Sequence, residues 1–397
     1  MLSEQVVHLL SRIVSMSTKA GATPFTWQKK TKTIVVTGKG KHKMKFWFRV
    51  QSVFWIHVLI RTIFLRVYHV RRVAEFYLCL SIFFTITLHI LASLPFIMFP
   101  HDFAQFLNSS LRFFSKYEET WYSSVLKKME TSRFHVLLLA LYATIGSSYL
   151  AWFDLTWLYL TFPTMDIFPN VVLPLYLQSS WIVYLIIGAF YSRLVLMMCS
   201  TFLFTMAVAL IHEFYLIPKI MTDLCGETAE LKISELFHVE NLCPTYRAFE
   251  LLYKLHMENY AYLLPPIQAL LGQYGLIHNY NLILNWEDLS VSVKLFLLGQ
   301  SVIVQAAWIT FLTFGGWFYA RSGKVLKSWK HLSGVRWSDR ERKLMGKFIK
   351  SCKPMYVGYP GLMKIRKISV PRYFQGLFRG TCRMLLTLRG NKVKVKG

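Results

Sequence analysis

A chain of 397 residues with 54% hydrophobic content, 31 Phe, 21 Tyr and 12 Trp holds more apolar material than one soluble core needs, and gathers it into long runs; that is the composition of a membrane protein. A formal charge of +26 would suggest nucleic acid in a soluble protein, but the Lys and Arg lie between the apolar runs rather than in stripes beside aromatics, which assigns them to membrane flanks and leaves no nucleic-acid partner. The six cysteines are scattered, with neither a metal signature nor a disulfide framework, and read as free thiols.

Residues 1–45 read as a cytoplasmic N-terminal arm: a short amphipathic stretch (Val6, Val7, Leu9, Leu10, Ile13, Val14), then polar, Lys-rich sequence without a cleavable signal peptide. Gly38, Lys39, Gly40 and Lys41 imitate a phosphate loop. Val35 stands where its first glycine belongs and no Ser or Thr follows Lys41, so a flexible basic linker is expected.

Crossing about 30 Å of hydrocarbon takes roughly 20 helical residues, and apolar runs of that length occupy 46–67, 76–99 and 134–162. A fourth run, 171–217, is too long for one span and tight for two. It is either one helix projecting beyond the bilayer or a hairpin turning near Arg193. Facing lipid in mid-helix, Arg193 would cost about 2.5–3.5 kcal/mol. Two more spans follow at 260–284, interrupted early by Pro265 and Pro266, and at 291–318; Asn285, Trp286, Glu287 and Asp288 join them. A seventh runs over 370–388.

Charge sets the orientation. The Lys-rich arm and the basic residues from Arg321 to Lys353 should be cytoplasmic, while the links holding Asp166 and holding Glu287 with Asp288 carry no Lys or Arg and read as outside. Arg66, Arg71 and Arg72 are the exception, falling in an outer link. The fold class predicted is an all-α membrane protein of seven transmembrane helices, multi-pass in the plasma membrane, with its N-terminus cytoplasmic and its C-terminus extracellular. Cytoplasmic loops at 101–133 and 218–259 would extend the helices below the bilayer; Phe249, Leu252, Leu255 and His256 have helical spacing there.

Catalytic chemistry finds no constellation in the sequence. His212 and Glu213 begin an HExxH pattern, but Leu216 occupies the second His position, so neither a metal nor any other cofactor is expected, nor an enzyme. Asn108 opens a glycosylation sequon that would face the cytosol and stay unused. Polar residues inside spans are pointers to function, and these are His89, Asp154, Gln178, Arg193, Gln268, Gln273, Gln300 and Gln305. Asp154 lies among Trp152, Trp157 and Tyr159, where it would either meet a cationic ligand or snorkel within an aromatic belt. Candidate pocket residues are Tyr142, Tyr149, Trp152, Asp154, Trp181, Tyr184 and Trp308, since ligand cavities are mostly apolar with few polar groups; plain helix packing is the alternative at each.

The C-terminal quarter carries a more specific pattern. Gly315 and Gly316 end the sixth run; Ser322, Leu326 and Trp329 follow on a basic helix, then the cluster from Asp339 to Lys343, Phe348, the turn Ser351, Cys352, Lys353, Pro354, and the link with Gly358, Gly361 and Ile365. This resembles the arthropod seven-transmembrane chemoreceptors, the insect gustatory and odorant receptors. The resemblance implies a chemosensory ligand-gated ion channel that binds a small molecule within membrane lipid and assembles as a homo- or hetero-tetramer. It implies a six-span ligand-binding bundle over 46–318, a cytoplasmic anchor over 319–369, and a pore-lining helix with a short tail over 370–397. Its pore candidates are Thr381, Arg383, Leu385, Leu388 and Arg389. The family's last span commonly carries Thr-Tyr, five apolar residues, Gln and an aromatic; here only Thr381 matches. Arg379 and Arg383 lie four apart on one helix face. Facing the pore of a homotetramer they would form stacked positive rings that favour anions and oppose cations, so either the arginines face away from the pore, or the channel is a hetero-tetramer, or it conducts poorly or not at all. A G-protein-coupled receptor would need Asp-Arg-Tyr and Asn-Pro-x-x-Tyr motifs, and a transporter an internal repeat; the sequence has neither.

Overall fold

A computed structural model describes residues 4–69, 73–122, 131–225, 234–284, 286–287, 289 and 291–394. Helices dominate it, in the order α1 (Glu4–Ala20), α2 (Gly38–Tyr68), α3 (Val73–Met98), α4 (Pro100–Trp121), α5 (Thr131–Thr161), α6 (Trp181–Asp223), α7 (Val239–Tyr260), α8 (Leu264–Leu284), α9 (Val291–Arg336), α10 (Asp339–Ser351) and α11 (Ser369–Lys394). A two-stranded antiparallel hairpin, β1 (Phe25–Gln28) and β2 (Thr33–Val36), separates α1 from α2, with Phe25 opposite Val36. Five helices are long and apolar enough to cross a membrane: Gly38–Tyr68, Glu75–Met98, Phe134–Thr161, Trp181–Asp223 and Val293–His331. Beside them lie α8, interrupted by Gln268, Gln273, His278 and Asn281, and α11, interrupted by arginines.

Antiparallel packing defines two ends. The head holds the end of α2, the start of α3, the α5–α6 link and the α8–α9 link; the base holds α4, α7, α10 and the entry to α11. At the head, Arg61 pairs with the buried carboxylate of Asp166. That answers part of the charge excess near the first link, while Arg71 and Arg72 lie outside the described residues, as do Asn285 and Asp288.

The fourth apolar run is one helix. Residues 171–180 form short turns, and the chain then stays helical from Trp181 to Asp223. Arg193 is turned inward, where Nη2 donates to the carbonyls of Lys19 (2.7 Å) and Ala20 (3.1 Å) and the guanidinium stacks over Trp47. The last carbonyls of α1 have no partner in their own helix, and the cation fits the negative end of its dipole. Gly21 (φ 85°) then reverses the chain in the left-handed conformation, with Ala22 N–H donating to Ser17 O.

Two expectations for the arm change. The amphipathic stretch is a full helix whose Val6, Leu9, Leu10, Ile13 and Val14 are buried along α6, where Ser17 Oγ donates to Ser200 O. The stretch expected as a flexible basic linker is instead the first turn of α2, capped by Thr37, whose side chain accepts from Gly40 N–H.

Near its base, α6 relaxes into a π-turn over Leu210–Leu216. Pro218 stands two residues beyond it and has no N–H to donate four residues back, a common cause of such relaxation. At the base, Trp329 is fully buried and its indole N–H donates to Leu224 O at 2.9 Å; Trp337 does the same to Phe237 O at 3.0 Å. Ser322 Oγ accepts from Met355 N–H at 2.7 Å, and Ser338 opens α10 with a reciprocal capping box to Glu341.

Candidate ligand site and last helix

Two faces of α8 carry different chemistry. Tyr274 and His278 are one turn apart and point toward α3 and α9. Ser81 Oγ on α3 lies 2.9 Å from His278 Nε2 and 3.3 Å from the Tyr274 hydroxyl, which donates to Gln300 Oε1 at 3.4 Å. His278 Nδ1 sits 2.8 Å from Tyr274 O. A carbonyl only accepts, so Nδ1 carries the proton; Nε2 is then the acceptor for the Ser81 hydroxyl. The two rings of α8 stack at 3.9 Å, Phe84 meets Tyr274 edge-on, and Ser81, Tyr274 and His278 are all buried. Hydroxyls and an imidazole among apolar helices are costly unless partnered. Here they partner one another, an arrangement that can exchange a partner for a ligand hydroxyl or carbonyl.

The opposite face of α8 receives α11. A Cβ on Gly275 would lie 3.0 Å from Leu377, and one on Gly380 would lie 2.6 Å from Leu276; missing side chains let the two backbones approach closely. Tyr373, Leu377 and Thr381, four apart, are the buried face of α11, while Arg372, Gln375, Arg379 and Arg383 are exposed. An open cleft of about 440 Å³ runs between the two helices toward the base, lined among others by Gln268, Gln273, Leu362, Arg372 and Tyr373.

Residues singled out in the sequence are distributed over both regions and beyond. Trp152 and Tyr184 both lie on the α5–α6 seam: the Trp152 indole N–H donates to Ser192 O at 3.1 Å, and Tyr184 stacks on Tyr159 and donates to Leu160 O. Trp308 is buried on α9, stacked on Phe311, and its N–H has no partner among the described residues. Tyr142, Asp154 and Trp181 face away from the bundle, Trp181 with 70% of its surface exposed, while Tyr149, also exposed, reaches Met16 Sδ on α1 with its hydroxyl. On α11, Thr381 faces the bundle, Arg383 is exposed and Leu385 half-buried, while the side chains of Leu388 and Arg389 lie outside the described residues. Of the other span polar groups, His89 Nδ1 bonds Gln51, Gln178 donates to Leu173 O, and Gln305 donates to Ser301. Sequence reasoning missed Ser81, Tyr274 and His278. The signal available was an aromatic and a His four apart in one apolar run.

No protein-family model matches this chain, and no curated protein matches it in sequence. Solved structures do match. The chain is similar to the insect olfactory receptor OR5 from Machilis hrabei with a TM-score of 0.65 and 11% identity, over 96% of this chain and 99% of that one. The same receptor in complex with eugenol aligns with a TM-score of 0.65 and 11% identity, over 96% of this chain and 100% of the receptor. The fold of this chain is therefore that of the insect olfactory receptor along nearly its whole length.

Proposed function

We propose that the chain is a divergent member of the insect chemoreceptors and a subunit of a chemosensory ligand-gated ion channel in the plasma membrane. The single observation that carries this reading is the whole-length likeness to an olfactory receptor. That receptor has been solved with a small molecule, eugenol, and a small-molecule ligand is proposed here too. It binds at the head among α3, α5, α6, α8 and α9, where Ser81, Tyr274, His278, Trp152 and Tyr184 offer aromatic faces and exchangeable hydrogen bonds. Because α8 holds Tyr274 on one side and supports α11 through Gly275 and Leu276 on the other, a ligand that favours a displaced α8 favours a displaced α11. Opening is then a population shift whose size is set by the ligand's differential affinity. The pore belongs to α11 in a tetramer, with the N-terminus cytoplasmic and the C-terminus outside. No observation favours a G-protein-coupled receptor or a transporter.

The test is current recording from cells expressing the chain, alone and with a candidate partner subunit, against a panel of small volatile molecules that includes eugenol. Ligand-evoked current that Tyr274→Ala shifts to at least tenfold higher concentration is the expected result. A chain that reaches the cell surface, carries an epitope after Gly397 accessible only on permeabilisation, and passes no current would refute the reading.

A further inference from the structure

At the base, the π-turn of α6 carries two consecutive residues, His212 and Glu213, that are both buried in the interior. His256 approaches them from α7. His212 Nδ1 lies 3.0 Å from Glu213 Oε1, and His256 Nε2 contacts the same oxygen. The two imidazole rings are 4.5 Å apart, and one donor atom from each of the three residues falls within 4.8 Å of the others. All three side chains are more than nine-tenths buried. Phe106 packs on both histidines and Phe114 on His212, so water has little part in satisfying the site.

We propose that His212, Glu213 and His256 form a binding site for a divalent transition-metal ion of the zinc class. Two imidazole nitrogens and one carboxylate are a donor set that zinc accepts, at about 2.0–2.2 Å from each atom. That geometry asks the donors to stand about 3.3 Å apart, which the present spacing reaches through small side-chain rotations. The hydrogen bonding in place is incomplete without an ion. Glu213 Oε2 and His256 Nδ1 are buried with no partner among the described residues, and a carboxylate gripping the ion with both oxygens uses the first of them. The ion-pair partners of Glu213 among the described residues are the two imidazoles, with no Lys or Arg. Beside His212 lies a cavity of about 20 Å³, also lined by Ser110, with room for one water. A bound ion would tie the end of α6 to α7 across α4, fixing the base against which the bundle moves.

The experiment uses the full chain purified in detergent, stripped with chelator and titrated with zinc by calorimetry, with cobalt as an absorption probe of coordination. One ion per chain is expected, together with a ligand-field spectrum of low-symmetry cobalt. Glu213→Gln, which keeps volume and hydrogen bonding, and His256→Gln should each weaken binding at least tenfold. Absence of zinc binding by the unsubstituted chain, or equal binding by the folded variants, would overturn the proposal. If one variant does not fold, the other and the cobalt spectrum still decide it, and neither readout depends on channel activity.

Discussion

Gly380 lies beneath Leu276, so near that a Cβ on the glycine would stand 2.6 Å from the leucine side chain. This contact joins α11 to the helix that holds Tyr274, and it has a counterpart lower down at Gly316, whose Cβ would meet the backbone of Arg366 and Lys367 at 2.9–3.0 Å. The two glycines face different obstacles. A leucine methyl rotates away; a main chain does not.

Gly380→Ala is therefore expected to cost at most about 1 kcal/mol and to be rescued by Leu276→Ala, whereas Gly316→Ala costs about 1–3 kcal/mol with no single rescue. Thermal unfolding in detergent, read by size-exclusion fluorescence, checks the ranking. Equal costs would mean that the α8–α11 contact is as rigid as the backbone seam.

Trp329 tests the base. It is fully buried, its ring lies edge-on to Tyr246 and stacks on Phe348, and it donates to Leu224 O. Trp329→Phe keeps most of the ring volume and leaves a buried carbonyl unpaired, a loss of about 1–3 kcal/mol. Trp329→Ala adds a cavity and should reach about 3–5 kcal/mol. A Trp329→Phe variant that melts with the unsubstituted chain would remove the hydrogen bond from the account, and a Trp329→Ala variant that melts with Trp329→Phe would remove the packing.

Acid should weaken the contact between α4 and α6. Burial by itself raises the Glu118 carboxyl, but the positive charge around it, Lys219 foremost with Nζ 2.7 Å from Oε1, holds the group below its ordinary 4.5. A depressed carboxyl contributes stability that is present above the ordinary value and is lost as pH falls through the folded one. Melting temperature measured from pH 7 downward should thus fall below about 4.5, and the difference between the unsubstituted chain and Glu118→Gln should shrink over the same interval. A constant difference across that range contradicts the assignment.

The sequence made the apolar helices readable because lipid demands length, and length survives in a single chain. It also made the base readable: Gly315, Ser322, Trp329 and Ile365 each turn out to hold a specific contact. Which face of a span looks inward was not readable. Lipid and helix neighbour are equally apolar, so Tyr142 and Trp181 carried the same signal as Tyr184. The π-turn was hidden for a related reason, since Pro218 marks a break without saying which residues it turns inward. His212 and Glu213 were visible as a pair, but their partner His256 comes from another helix rather than from the next turn.

Charge on the last helix gives the sharpest functional prediction. Arg379 and Arg383 are exposed one turn apart, in line with Gln375, on the face of α11 opposite Tyr373, Leu377 and Thr381. If the proposed tetramer is a homomer with that face turned to the axis, two stacked rings of four guanidiniums favour anions over cations. Under a chloride gradient, the homomer's reversal potential should follow chloride, and Arg379→Gln with Arg383→Gln should move it toward the cation value while leaving the ligand concentration dependence in place. Assembly with a second subunit dilutes the rings, so co-expression should move the reversal potential the same way without any substitution. If neither change moves it, the exposed arginines lie off the conduction path, and α11 presents a different face to the pore.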